Sequence, residues 1–152
     1  MEFAINGTKE SLQVIKQPGK EIYCSGILEK YRVACGRNII QVMSRLGEYS
    51  LEKAVAVCEG VHDGIVREHC VSSVGMKLVA ERSDVDYVIL GCGRFKNNIM
   101  ASLCITAGAK EMVFQKVFSW EVKSNALCTS LKLRYKENCI QLVEQVKKDY
   151  GR

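Results

Sequence analysis

Along most of the chain, apolar residues recur three and four positions apart, the spacing of a helix with one buried face. Tyr23, Ile27, Leu28, Tyr31 and Ala34 make a first stripe beginning near Lys20, with Gly36 as a suitable stop. Asn38 is placed to cap a second helix bearing Ile39, Ile40, Met43 and Leu46, interrupted at Gly47. Ser50 caps residues 51–61, and His62-Asp63-Gly64 breaks the pattern again. Val71, Val74, Met76, Leu78 and Val79 mark a fourth helix, and a run from Asp84 leads to Gly91-Cys92-Gly93-Arg94. Ile99, Met100, Leu103 and Ile105 lie in the least charged segment, the pattern of a helix surrounded by others. Val113, Phe114, Val117 and Phe118 continue beyond Gly108, followed by Leu127 and Leu131. Cys139, Leu142, Val143 and Val146 form a last stripe, with Lys147 and Lys148 well placed against a helix C-terminus.

The fold class this predicts is all-α, with about seven or eight helices around a central apolar one. Residues 1–19, punctuated by Asn6-Gly7 and Pro18-Gly19, read as a loose arm, and 20–152 as the helical domain. Residues 53–58 and 86–90 read equally well as short buried strands, each followed by a helix, so an α/β architecture stays open.

A chain of 152 residues is expected to build one core. Pro18 is its one proline, so helices are permitted almost everywhere beyond it. The 22 basic residues are interspersed with 17 acidic ones, and the only dense basic pair is Lys147-Lys148. That is a solvated surface rather than a nucleic-acid footprint, and no nucleic-acid partner is expected. The longest uncharged run, residues 97–109, is 13 long, against ~20 for a membrane span, so no transmembrane segment is expected. Met1-Glu2-Phe3-Ala4 lacks the basic and apolar parts of a secretory signal, so residence in the reducing cytosol is expected.

Cys24, Cys35, Cys58, Cys70, Cys92, Cys104, Cys128 and Cys139 include no C-x-x-C pair and no companion histidine spacing. No metal site is expected of them, and in a cytosolic chain they read as small buried hydrophobes with free thiols. Their near-regular spacing, short and long intervals alternating, also fits a helix-pair repeat of about 34 residues, of the tetratricopeptide or pentatricopeptide kind.

Catalytic constellations are lacking. Gly91-x-Gly93 follows an apolar run, but the third glycine of a dinucleotide fingerprint is replaced by Lys96. His69 and Cys70 are adjacent, so on a helix their side chains point about 100° apart and cannot act as base and nucleophile. Neither a reaction nor a cofactor is expected.

Two segments stand out together: residues 41–48, an apolar stripe ending in Gly47 and Glu48, and Gly91-Cys92-Gly93-Arg94 at the head of the most apolar helix. With the helix count, they resemble the Bcl-2 family of apoptosis regulators. Met43, Gly47 and Glu48 occupy the hydrophobic, glycine and acidic places of a BH3-like motif, and Gly93 and Arg94 the last two places of a BH1-like motif. Tyr135-Lys136-Glu137-Asn138 before the final helix is similar to BH2, and Tyr23 to Tyr31 to the family's first helix. On a short chain these worn motifs look most like virus-encoded members. The resemblance implies an inhibitor of apoptosis that sequesters BH3 helices of pro-apoptotic partners (Bim, Bak or Bax type) in a hydrophobic groove. It implies residence in the cytosol, of the host cell for a viral member, peripheral to mitochondria. Arg94 would pair with the ligand's acid, and Val42, Met43, Leu46, Tyr49, Val74, Leu78 and Phe95 would line the groove. Used for self-association, the same residues would make a homodimer interface. Two other readings remain: a helix-pair repeat scaffold, and a small α/β enzyme in which Cys92 would be the reactive residue.

Overall fold

Helix caps and helix stops set the architecture of the computed structural model, which describes Cys24 and residues 28–150. Among the described residues every regular element is an α-helix: α1 Glu29–Arg45, α2 Leu51–Gly60, α3 Gly64–Glu81, α4 Val85–Cys92, α5 Asn98–Phe114, α6 Trp120–Thr129 and α7 Leu133–Tyr150. The all-α class is therefore observed. Residues 53–58 and 86–90, the strand candidates, lie within α2 and α4, so the α/β alternative falls. The expected arm, residues 1–19, is outside the described residues.

Short polar side chains start the helices. The Ser50 hydroxyl accepts from the Lys53 amide at 3.2 Å, Asp63 from Val66 at 3.0 Å, Asp84 from Tyr87 at 2.8 Å, and Asn97 from Ile99 at 2.7 Å. Each satisfies an amide that has no partner within its own helix. The break expected at Gly36 is absent, and α1 runs through it. Asn38 caps nothing; its amide donates to the Ala34 carbonyl one turn back. The real stop is Gly47 at φ +69°, where the Gly47 amide donates to Ser44 and the Glu48 amide to Met43, the paired bonds of a Schellman terminator.

The cysteines reveal the period of the chain. All eight are paired, as Cys24–Cys35, Cys58–Cys70, Cys92–Cys104 and Cys128–Cys139, which corrects the expectation of free thiols. Each bridge spans 11 or 12 positions, with Cα atoms 5.4 to 6.1 Å apart. Cys35, Cys70, Cys104 and Cys139 each stand at the seventh position of a long helix, counted from Glu29, Gly64, Asn98 and Leu133. Cys58 and Cys92 stand at the eighth position of α2 and α4, and Cys128 at the ninth of α6. The unit is thus a short helix of 8 or 10 residues, a bridged link, and a long helix of 17 or 18. No C-x-x-C announces the pairing, because in the three bridges from Cys58 onward the partners meet across a hairpin: one lies near the end of a short helix, the other in the second turn of the next.

Backbone packing divides the chain into two compact units between Ser73 and Val74, with two bridges in each. In the first, Ile39, Ile40, Ala54, Val66 and Val71 are covered, and the Ser73 hydroxyl donates to the His69 carbonyl at 2.8 Å. In the second, Val74, Leu78, Val88, Met112, Val113 and Leu127 are covered, and α5 packs against α4, α6 and α7. This α5 is the apolar helix expected from the sequence. Gly75 of α3 approaches it so closely that a Cβ would overlap the Cys104 carbonyl oxygen, a contact only glycine permits.

Candidate interaction surfaces

Arg94 sits on a corner built for rigidity. Gly93 closes α4 by donating its amide to Ile89 at 2.9 Å, and the Arg94 and Phe95 amides reach the Gly91 and Cys92 carbonyls, both at 3.2 Å. Phe95 is 4% exposed and plugs the corner from below, the Cys92–Cys104 bridge ties it to α5, and Asn97 caps the helix that follows. Gly93 and Arg94 are exposed above it. Cys92 is fully covered and carries no thiol, which removes the nucleophile of the enzyme alternative.

The other expected groove residues are distributed differently. Val42 and Met43 are buried in the first unit, where Leu46 and Tyr49 are half-buried. Val74 and Leu78 have no exposed surface and, with Phe95 and Arg94, belong to the second. Val42, Met43, Val74, Leu78 and Phe95 are thus core side chains that offer little area to a ligand. Gly47 and Glu48, the glycine and acid of the BH3-like motif, lie past the end of α1, in its terminator rather than on a helical face.

Within the second unit the two ends differ in character. Lys123 of α6 donates to the Ser83 carbonyl just before α4 at 2.7 Å, so α4 and α6 begin together. The rings of Phe114 and Tyr150, ending α5 and α7, meet edge to face at 5.3 Å, and Lys147 of α7 lies 5.8 Å from the centre of the Trp120 ring opening α6. The links α4–α5 and α6–α7 therefore share the opposite end, as short links between antiparallel neighbours require.

The end that holds the starts of α4 and α6 is apolar and mixed in charge. Phe118 is 89% exposed there, between Lys116 and Ser119, both at positive φ. The Tyr87 hydroxyl donates to Glu81 at 2.9 Å, and that bond, with desolvation and the carboxylate's charge, holds its pKa above the usual tyrosine value. The link end is different: Arg94, Lys96, Lys132 and Arg134 are exposed on it and Lys136 is half-buried. No acidic residue occurs at 87–110 or 122–136, and the first turns of the long helices α3, α5 and α7 contain none, whereas those of α1, α2, α4 and α6 contain Glu29, Glu52, Asp86 and Glu121.

Charge counted by unit sharpens the contrast. Through Ser73 the chain has 9 basic and 9 acidic residues, and from Val74 onward 13 and 8, so the whole net charge of +5 belongs to the second unit. Sequence reading passed over this surface because its cations arrive in two groups far apart in the chain. The signal that would have found it is the pair of acid-free stretches. Among the described residues no group of His, Cys, Asp and Glu is placed to hold a metal ion, and no helix is long and apolar enough to cross a membrane. Comparison of the chain with protein-family models, characterised proteins and solved structures returns no match.

Proposed function

We propose that this chain is a disulfide-stapled helix-pair repeat module, a binding scaffold of the general tetratricopeptide kind that works in an oxidising compartment. The observation that carries the reading is the common register of Cys35, Cys70, Cys104 and Cys139, each seventh in a long helix and each bridged to the preceding segment. A period of 34 to 36 positions between corresponding cysteines is the length of one helix-pair repeat. Repeat units of this kind bury their apolar faces on their neighbours and leave exposed side chains for partners. Bridges persist where thiols are not kept reduced, so the compartment proposed is extracytosolic, in place of the cytosolic residence expected from the sequence. The first test is peptide mapping of the natively produced protein, with free thiols alkylated before digestion. Four bridges in the pairing above are expected; eight alkylated cysteines would overturn the reading.

A pro-survival role through BH3 helices is the second reading. It is favoured by Arg94, exposed in the link that leads into α5, the helix packed against α4, α6 and α7. Calorimetric titration with a panel of BH3 peptides separates the two. The repeat reading expects no binding, whereas submicromolar affinity that Arg94→Ala weakens by ~1.5 kcal/mol would establish the groove.

A further inference from the structure

We infer that the link end of the second unit is a docking surface for a sulfated polysaccharide, recognised through Arg94, Lys96, Lys132 and Arg134. The inference rests on the repeat reading for one thing, the extracytosolic compartment, where sulfated glycans are the abundant linear polyanions.

The surface itself comes from topology. Arg94 and Lys96 occupy the link between α4 and α5, Lys132 that between α6 and α7, and Arg134 the first turn of α7. The contacts of Lys123 with Ser83 and of Phe114 with Tyr150 place the other ends of these helices together, so both links face the same way. All four cations are exposed, and the disulfides Cys92–Cys104 and Cys128–Cys139 anchor the two links that carry them. The Arg134 guanidinium lies 4.7 Å from the centre of the Tyr135 ring, which limits its wandering.

Acidic residues are missing from 87–110 and 122–136, so both links carry cations alone, and the acid nearest along the chain is Glu137 in the second turn of α7. The first turns of α5 and α7 contain no acid to neutralise their positive ends, which adds to the same field. A linear polyanion can satisfy both links at once, because its charges are spaced along a chain, whereas a single small anion reaches one.

Sulfate groups suit the donors present: two guanidinium groups that pair with tetrahedral oxyanions through two N–H bonds, and two ammonium groups that act as point charges. The bound chain displaces counterions, so affinity falls steeply with salt. With four cations each contributing roughly 0.7 to 0.9 to the slope of log Kd against log salt, the slope is expected near ~3.

The test uses the full chain in non-reducing buffer, its four bridges first confirmed by mapping, and a size-defined heparin-derived dodecasaccharide as probe. Binding is measured by calorimetry across a salt series for three proteins. They are the unmodified chain, the variant Arg94→Gln/Lys96→Gln/Lys132→Gln/Arg134→Gln, and a control Arg82→Gln/Lys110→Gln/Lys116→Gln/Lys148→Gln with equal net charge. The first variant is expected to lose at least ~10-fold in affinity together with most of the salt slope, and the control to stay within ~3-fold of the unmodified chain. Equal losses in both variants, or no binding by the unmodified chain, would overturn the surface while leaving the repeat reading intact. An oligonucleotide of matched charge that binds as tightly as the dodecasaccharide would overturn the choice of a sulfated glycan. Eight free thiols in the mapped protein would overturn the repeat reading and the extracytosolic ligand with it.

Discussion

Removing one bridge from the second unit should take away a large part of the protein's stability. Cys92 and Cys104 are 12 positions apart, and closing a loop of that size in the unfolded chain costs entropy equivalent to about 3 kcal/mol on the chain-entropy relation. Both sulfurs are fully covered, so a double alanine variant also leaves unfilled space and loses ~1 to 2 kcal/mol of packing. Together the loss is ~4 to 5 kcal/mol. The four bridged segments are consecutive and not nested, so their entropic terms add to ~12 kcal/mol, comparable with the entire stability of an ordinary domain. The assay is urea unfolding followed by circular dichroism. With a denaturant slope of ~2 kcal/mol per molar, Cys92→Ala/Cys104→Ala should lower the midpoint by about 2 M. Full reduction of the unmodified chain should abolish the cooperative transition. A variant midpoint within ~0.3 M of the unmodified chain would refute the argument that these short loops hold the helix pairs together.

Accessibility predicts the order in which the bridges open. Cys35 is partly exposed, whereas the six cysteines from Cys58 onward are fully covered, so graded reduction with alkylation should label Cys24 and Cys35 first; simultaneous labelling of all pairs would contradict it. Gly75→Ala should destabilise by ~2 kcal/mol, because its methyl group would push α3 off the Cys104 carbonyl, and a neutral effect in thermal unfolding would show that α3 and α5 can part freely. Phe95→Ala should cost ~3 to 5 kcal/mol, while Arg94→Ala, one residue away and exposed, should stay within ~0.5 kcal/mol; equal effects would mean the corner is not supported from beneath.

The apolar stripes, and the caps at Ser50, Asp84 and Asn97, made the helices legible because helix periodicity and capping are local. What was illegible was non-local. Gly36 looked like a stop, yet it is buried within α1, where a Cβ would press on the Val66 carbonyl 2.5 Å away, and sequence spacing does not report that approach. Gly47 and Glu48 looked like a recognition motif because a helix terminator needs the same small residue at the same place: the positive φ at Gly47 accounts for the glycine with no ligand invoked. Val74, Leu78 and Phe95 could be assigned to a groove only because an apolar stripe reads the same whether a ligand or a neighbouring helix covers it; here neighbours do.

The cysteines carried both the misreading and its remedy. The lack of a C-x-x-C pair and the N-terminal composition argued for thiols, while the alternating intervals argued for a repeat, and the two inferences stood apart. Geometry joins them. Antiparallel packing brings a cysteine near the end of a short helix against another in the second turn of the next long one, as it does for Cys58 with Cys70, Cys92 with Cys104 and Cys128 with Cys139. The same folding-back brings Arg94 and Lys96 to the end occupied by Lys132 and Arg134. Charge that is diluted along the sequence is concentrated by the hairpins, and the whole net charge of +5 falls on the unit that contains both links. The number of helix pairs between two basic links thus decides whether they act as one surface, so inserting a further neutral repeat between Asn97 and Ser130 should weaken polyanion binding even though no cation is removed.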